Sequence, residues 1–361
     1  MTGFARLSRL ALLAGAAAVL SGCAVGPNYV APNPPAPAGG QFVSPQATAP
    51  EASSSDQPPP NWWRLYSTPD LDPLVQQALT HNDNLLAAAA NLARARAALS
   101  LARAGQFPST EISAGGQYGV SSDALLIDSL KGQKGAPKPA WLYSAGLDAS
   151  YEVDLFGRVR RAVEAAKADY QAQQAAEDAV RISVAGETTR AYVNACAYAQ
   201  ELAVAKQSVD IADQTAEVTA REAQDGGASD LDVARAREQA SEVRATLPGF
   251  EGQRRAALFE LAVLTGDPPE QISAAADACA APPKLTAVLP VGDIQGLFRR
   301  RPDVRQAERQ LAADVARIGV ATADLYPTIS IGASVATSAA NTPTGLGSIN
   351  NLSYLVGPLL S

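Results

Sequence analysis

The sequence predicts an α+β protein that leaves the cytoplasm, built from very long alanine-rich helices and a few short amphipathic strands. Three observations carry this. Residues 158–224 contain no proline, one glycine (Gly186) and 19 alanines among 67 residues. Three segments switch to a strict two-residue alternation. The N-terminus carries a short apolar run behind two arginines. The 361 residues are 47% hydrophobic and 18% charged, enough apolar material to exclude wholesale disorder. A net charge of −7 without a basic cluster argues against nucleic acid as a partner. One histidine and three cysteines leave little for a metal centre or a Cys/His nucleophile pair, so no cofactor and no catalytic set is expected.

Arg6 and Arg9 precede the apolar run Leu10–Leu20, which is shorter than the ~20 residues a membrane span needs and reads as a secretory signal over residues 1–22. The run ends in Leu20-Ser21-Gly22-Cys23, which resembles the bacterial lipobox; the resemblance implies cleavage before Cys23 and acylation of its thiol. Ala24, where a retention signal would place Asp, implies delivery to the outer membrane of a Gram-negative cell. No second apolar run of 18 or more follows, so no transmembrane helix is expected in the mature chain.

Residues 24–60 hold 10 of the 25 prolines and read as a polyproline-like tether, giving a lipidated Pro-rich region over 23–60. From Asn61 the texture changes. Trp62-Trp63-Arg64-Leu65-Tyr66 leads into apolar residues at helical spacing from Leu71 to Leu79, and a second helix is expected from about Asp83 to Ala104, stopped by Gly105 and Pro108. His81 falls near a helix end, exposed and without a partner cluster.

The alternating segments are 111–118, 144–156 and 328–335. In the second, Leu147, Ala149, Tyr151, Val153 and Leu155 fall on one side, and Asp148, Ser150, Glu152 and Asp154 on the other. Alternation fits a soluble half-buried sheet and a transmembrane barrel equally well.

At 1.5 Å per residue, an unbroken helix over 158–224 is roughly 100 Å long. Its apolar residues step by threes and fours (Val159, Val163, Ala166, Tyr170, then Ala176, Val180, Val184), a coiled-coil-like spacing. Asp225-Gly226-Gly227-Ala228-Ser229 breaks it, and Ser229 with Asp232 reads as a new helix cap. A second helix then returns over Leu231–Leu264, disturbed at Pro248-Gly249. Cys196 falls in the helical pattern and reads as a small core hydrophobe, Cys279 in a loop; a bond between them is allowed outside the cytoplasm but is the less favoured reading.

An offset of 219 residues superimposes 92–114 on 311–333 with eight identities in 23 positions, including Pro108 on Pro327 at the same helix-to-strand junction. This divides the chain into a first structural repeat over 61–290 and an incomplete second over 291–361. The first repeat carries 124 residues from Tyr143 to Gly266, whereas 8 remain from the equivalent Tyr354; about 116 residues of the second copy are therefore expected to be missing, leaving three strands and a stub.

Lipobox, tether, Trp62-Trp63, Tyr151-Glu152-Val153-Asp154-Leu155-Phe156-Gly157-Arg158, Leu261-Ala262-Val263-Leu264-Thr265-Gly266 and Arg300-Arg301-Pro302-Asp303-Val304 together resemble the TolC-like outer-membrane efflux family, lipoprotein branch. The resemblance implies a homotrimer with four strands per chain in one transmembrane β-barrel and a long α-helical coiled-coil barrel in the periplasm. It implies a passive export duct for small molecules, not an enzyme, working with a periplasmic adaptor and an inner-membrane pump and seated in outer-membrane lipid. By position, the adaptor-contact tip would be Gly226, Gly227, Ala228, Ser229, Asp230, Leu231 and Asp232. The barrel lumen would carry Glu111, Asp148, Glu152 and Asp154. Arg221 stands five residues before Gly226 where the family pattern puts it four before. A competing reading is a non-conducting lipoprotein whose helices act as a periplasmic spacer. An enzyme stands third, lacking any Ser/His/Asp or paired-carboxylate arrangement.

Overall fold

The computed structural model describes residues 24–33, 53–54, 57–120, 130, 138–285, 289–290 and 294–361. The principal elements are α1 (Leu71–His81), α2 (Asp83–Ala104), β1 (Ser109–Gly119), β2 (Ala140–Val153), α3 (Arg158–Gln224), α4 (Asp230–Ala245), α5 (Leu247–Thr265), α6 (Pro302–Ala323), β3 (Ile329–Ala340) and β4 (Leu352–Leu360). The repeat offset holds in the structure: α6 begins and ends 219 residues after α2. The signal, Cys23, most of the tether and most of the loop after β1 lie outside the described residues.

The chain divides into two compact units. The first contains residues 24–31, the described residues within 94–171, and 308–361. Its sheet is a meander of four antiparallel strands in the order β1-β2-β3-β4, although the helical hairpin intervenes in sequence between β2 and β3. Two expectations are corrected here. The terminal stub is a full strand of nine residues, paired along β3 from Thr337↔Leu352 to Ile329↔Leu360. Its Pro358 has no N–H to give to a ladder and sits in a strand with one neighbour in the sheet, where that loss is tolerated. The second correction is the extent of β2, which starts at Ala140 and stops at Val153, so Leu155 and Asp154 lie beyond the strand.

The second unit contains the described residues within 32–93 and 172–307. Leu71, Leu74, Val75 and Ala78 recur at three- and four-residue steps on α1 and are all buried. Leu71, Leu74 and Val75 pack in one cluster with Leu258, Leu261 and Leu264 of α5 and Tyr192, Ala195 and Cys196 of α3, with Trp63 closing it. The Trp63 indole N–H donates to Asp72 at 2.8 Å, satisfying the polar edge of a buried ring. Asn82 ends α1 and caps α2: its side-chain oxygen accepts from the Asn84 N–H at 3.0 Å, and its amide donates to the Leu264 carbonyl at 3.0 Å. His81 is the exposed last residue of α1, as its sequence position suggests.

The same unit overturns the cysteine reading. Cys196 and Cys279 form a disulfide across 83 residues, with Cα atoms 5.1 Å apart. Cys196 is buried as expected, but the loop after α5 folds back over α3 and brings Cys279 within bonding distance, a return that helical periodicity does not encode.

Among the described residues, α2 is the one helix long and apolar enough to cross a membrane by length and composition, which qualifies the expectation that none would be. Alanine supplies that hydropathy. Arg94 and Arg96 stand near its middle, where each would cost ~2.5–3.5 kcal/mol at a bilayer centre.

Candidate functional site

Three places carry the residues singled out from sequence: the sheet, the hairpin turn and the N-terminal attachment. In the sheet, register turns alternation into rows. Ile112, Leu147, Val335 and Tyr354 are successive partners across all four strands. Their exposures are 83%, 48%, 43% and 79%, so the apolar row is bare. Tyr151, Ile331 and Pro358 form a second row of the same parity. A soluble half-buried sheet would cover these side chains. The opposite parity carries Glu111 paired with Asp148 and Asp148 paired with Ser334, then Glu152 with Ser330. Like charges directly across a ladder are unfavourable unless water solvates them. β4 departs from the pattern, with Leu355 and Leu359 exposed on the polar side.

The four expected lumen residues do not share one environment. Glu111 and Asp148 lie within the strands. Glu152 engages the Arg158 guanidinium, whose Nε donates to it at 2.8 Å, at the junction of β2 and α3. Asp154 lies outside the strand, and its carboxylate accepts from the backbone N–H groups of Val159 and Arg160 at 3.1 and 3.0 Å. It caps the positive end of α3, a better site for a carboxylate than another strand position.

Aromatic rings mark both ends of the strands. Tyr118 and Trp141 are cross-strand partners with centroids 5.7 Å apart, and Trp141 stacks on Tyr143. At the other end Phe156 stacks on Tyr326 at 4.6 Å.

The turn between α3 and α4 is built from its own sequence. Gly226 has φ of +82°, a left-handed conformation that favours glycine. Its N–H donates to Ala223 O and the Gly227 N–H to Glu222 O, the paired bonds of a Schellman helix end. Ser229 then opens α4 with a capping box: its hydroxyl accepts from the Asp232 N–H, and the Asp232 carboxylate accepts from the Ser229 N–H. That hydrogen bonding, from the Ser229 hydroxyl first, holds the Asp232 carboxyl below its ordinary range. Gly226, Gly227, Ser229, Asp230, Leu231 and Asp232 are all exposed, with Ala228 half-buried. Arg221 pairs with Glu217 one turn back on α3. The return helix breaks at Thr246, just ahead of Pro248 rather than at Pro248-Gly249.

Sequence reasoning missed a cluster at the N-terminus of the first unit. The Val25 N–H donates to Phe156 O at 3.0 Å. Arg161, 4% exposed, donates to Val25 O at 3.3 Å, Asn28 Oδ1 at 2.7 Å and Glu164 at 2.8 Å. The Tyr29 hydroxyl donates to Glu308 at 2.6 Å beneath the Arg309 guanidinium. Burial, reinforced by Glu308, pushes the Tyr29 phenol up to about 12. The glycines of Val25-Gly26-Pro27 and Phe156-Gly157-Arg158 were the available signal. Among the described residues, no group of three or more His, Cys, Asp or Glu side chains is placed to hold a metal ion.

The family model described as "Outer membrane efflux protein" matches residues 74–267. The antibiotic efflux pump outer membrane protein ArpC of Pseudomonas putida is 31% identical over 88% of this chain and 64% of its own length. The probable outer membrane lipoprotein SilC of Salmonella typhimurium is 28% identical over 89% of this chain and 66% of its own. The chain thus spans just under two thirds of each of these relatives. Among solved structures, the outer-membrane channel OprN superimposes with a TM-score of 0.80 at 30% identity, covering 94% of this chain and 73% of that one.

Proposed function

Because the chain belongs to the outer membrane efflux protein family, we propose that it is the outer-membrane channel subunit of a tripartite efflux system, a passive duct for small molecules. The observation that carries this reading is the bare apolar ladder Ile112–Leu147–Val335–Tyr354 on a four-stranded sheet. In lipid such a row is solvated by acyl chains, and the aromatic pairs at the strand ends suit the two interfaces. Within the sheet β1 and β4 each have one neighbour. Open edges are not tolerated in hydrocarbon, so three copies closing edge to edge into twelve strands would pair the two edges that one copy leaves open. Glu111 and Asp148 then line a wet lumen.

The exposed turn Gly226–Asp232 is the surface offered to a periplasmic adaptor and, through it, to an inner-membrane pump. Cys23 carries the acyl anchor, a role supported by its lipobox and by the name of the lipoprotein relative. Expression from its own gene in an efflux-deficient Gram-negative host should yield a heat-resistant oligomer in the outer membrane and lower the accumulation of a fluorescent dye. Unchanged accumulation without such an oligomer would sink the channel reading, and retained adaptor crosslinking in that case would favour the helical spacer.

A further inference from the structure

We propose that Ala24–Tyr29 is a docked strap that fixes the N-terminal anchor rigidly beside the base of the sheet, and that Arg161 is the clamp holding it. The proposal rests on the reading of Cys23 as the acylated residue. Acylation alone requires only a flexible leader, yet the six residues after Cys23 are held at successive points.

Backbone closeness is the first sign. Gly157 has φ of +84°, and a Cβ there would fall 2.7 Å from the Ala24 Cβ. Gly26 has φ of +86°, and its Cβ would fall 2.6 Å from the Gly319 Cα. A Cβ on Gly319 would in turn fall 2.9 Å from Cδ and Nε of Arg161. Three glycines thus let the strap, α6 and the arginine occupy one space that side chains would fill.

The second sign is a buried charge directed at the strap. A guanidinium 4% exposed is costly unless its donors are satisfied. Arg161 spends them on Val25 O, Gly26 O and Asn28 Oδ1, with Glu164 as its counter-ion. Without the strap, several of its donors would lose their protein acceptors. At the far end the Tyr29 hydroxyl is tied to Glu308 of α6, and the Tyr29 ring packs against Ala168, Ala312 and Ala313.

The slot's position gives the consequence. Val25 is bonded to Phe156, three residues beyond the end of β2, and the Phe156 ring stacks on Tyr326, three residues before β3. One peptide bond, ~3.8 Å between Cα atoms, separates Ala24 from Cys23. Ala24, the residue that follows the acylated cysteine in this reading, therefore lies at the level where strands give way to helices, next to the aromatic rings. Because α3 and α6 both build the slot, the strap seats only after those helices have met.

Chymotrypsin tests this, since Tyr29 is packed while Val30 is 81% exposed. In isolated outer membranes, wild-type protein should resist cleavage after Tyr29. Arg161→Ala should raise the cleavage rate roughly tenfold or more, as expected for losing hydrogen bonds to a charged group. Asn28→Ala, which touches only the strap and leaves the helices intact, should raise it in the same direction. Palmitate incorporation at Cys23 should be equal in all three. Wild-type cleavage as fast as in both variants overturns the docked strap. Protection at Tyr29 without palmitate in the wild type upholds the docking and overturns the lipid reading.

Discussion

Cys196 in the buried face of α3 is covalently joined to Cys279 in the loop after α5. The bond fastens the segment that also gives Asp277 to Arg254 and Lys284 O to Ser67. Closing a loop of 83 residues restricts the unfolded chain by about 4.5 kcal/mol in the chain-entropy model. Replacing Cys279 by Ser should lower stability by about 2–4 kcal/mol, which for a chain of this length is about 3–5 °C in the melting temperature. Thermal unfolding with and without reductant checks this: reductant should shift the wild type and leave Cys279→Ser unmoved. Equal melting of both proteins would mean that the bond does not form.

The two faces of β2 are expected to respond oppositely to charge. Leu147→Arg places a cation on the apolar side in the middle of β2, at a cost of about 2–4 kcal/mol near a bilayer midplane, and Val153→Arg does so at the strand end, where the cost falls to about 1 kcal/mol or less. Both should reduce the membrane-inserted fraction resistant to urea extraction. Asp148→Arg should insert normally, because it replaces one carboxylate of the Glu111–Asp148 pair with an opposite charge. Equal insertion of all three would return the sheet to a soluble reading.

The hairpin turn carries a pH signature. The folded-state pKa of Asp232 is depressed, so its cap is present above the ordinary carboxylate range and is lost as pH falls through the lower folded value. Amide protection at Ser229–Val233, measured relative to the intrinsic exchange rate at each pH, should stay high at neutral pH and fall only in strong acid. Asp232→Asn should show lower protection at neutral pH and little further loss in acid. Identical exchange profiles for the two proteins would remove the capping box from the account.

Anchoring is tested at one atom. Cys23→Ser removes the thiol that lipobox processing needs. Radiolabelled palmitate should vanish from the protein, and precursor with residues 1–22 attached should accumulate. Label persisting in Cys23→Ser would place the acyl group elsewhere.

The sequence by itself determined the helices and where they stop. Asp83–Ala104 and Arg158–Gln224 fall where alanine-rich periodicity, proline and glycine put them, and Ser229 caps α4 as its spacing with Asp232 suggests. These are local matters of propensity, backbone conformation and hydrogen bonds within a few residues. The 219-residue repeat was likewise legible, because two copies of one helix-to-strand junction keep Pro108 and Pro327 in register. Tertiary structure decided the rest. Alternation ordered Leu147 and Asp148 onto opposite faces, but only strand pairing aligned Ile112, Leu147, Val335 and Tyr354 and left that row bare. Asp154 looked like one more strand carboxylate until the end of β2 gave it to the first turn of α3. Cys279 looked like a loop residue, Gly157 stood only inside a quoted motif, and neither Arg161 nor Gly319 was singled out. Each acquires its role from a partner more than 80 residues away: Cys196, Ala24, Asn28 and Gly26. Such contacts depend on how separate segments are folded against one another, and no local periodicity records that.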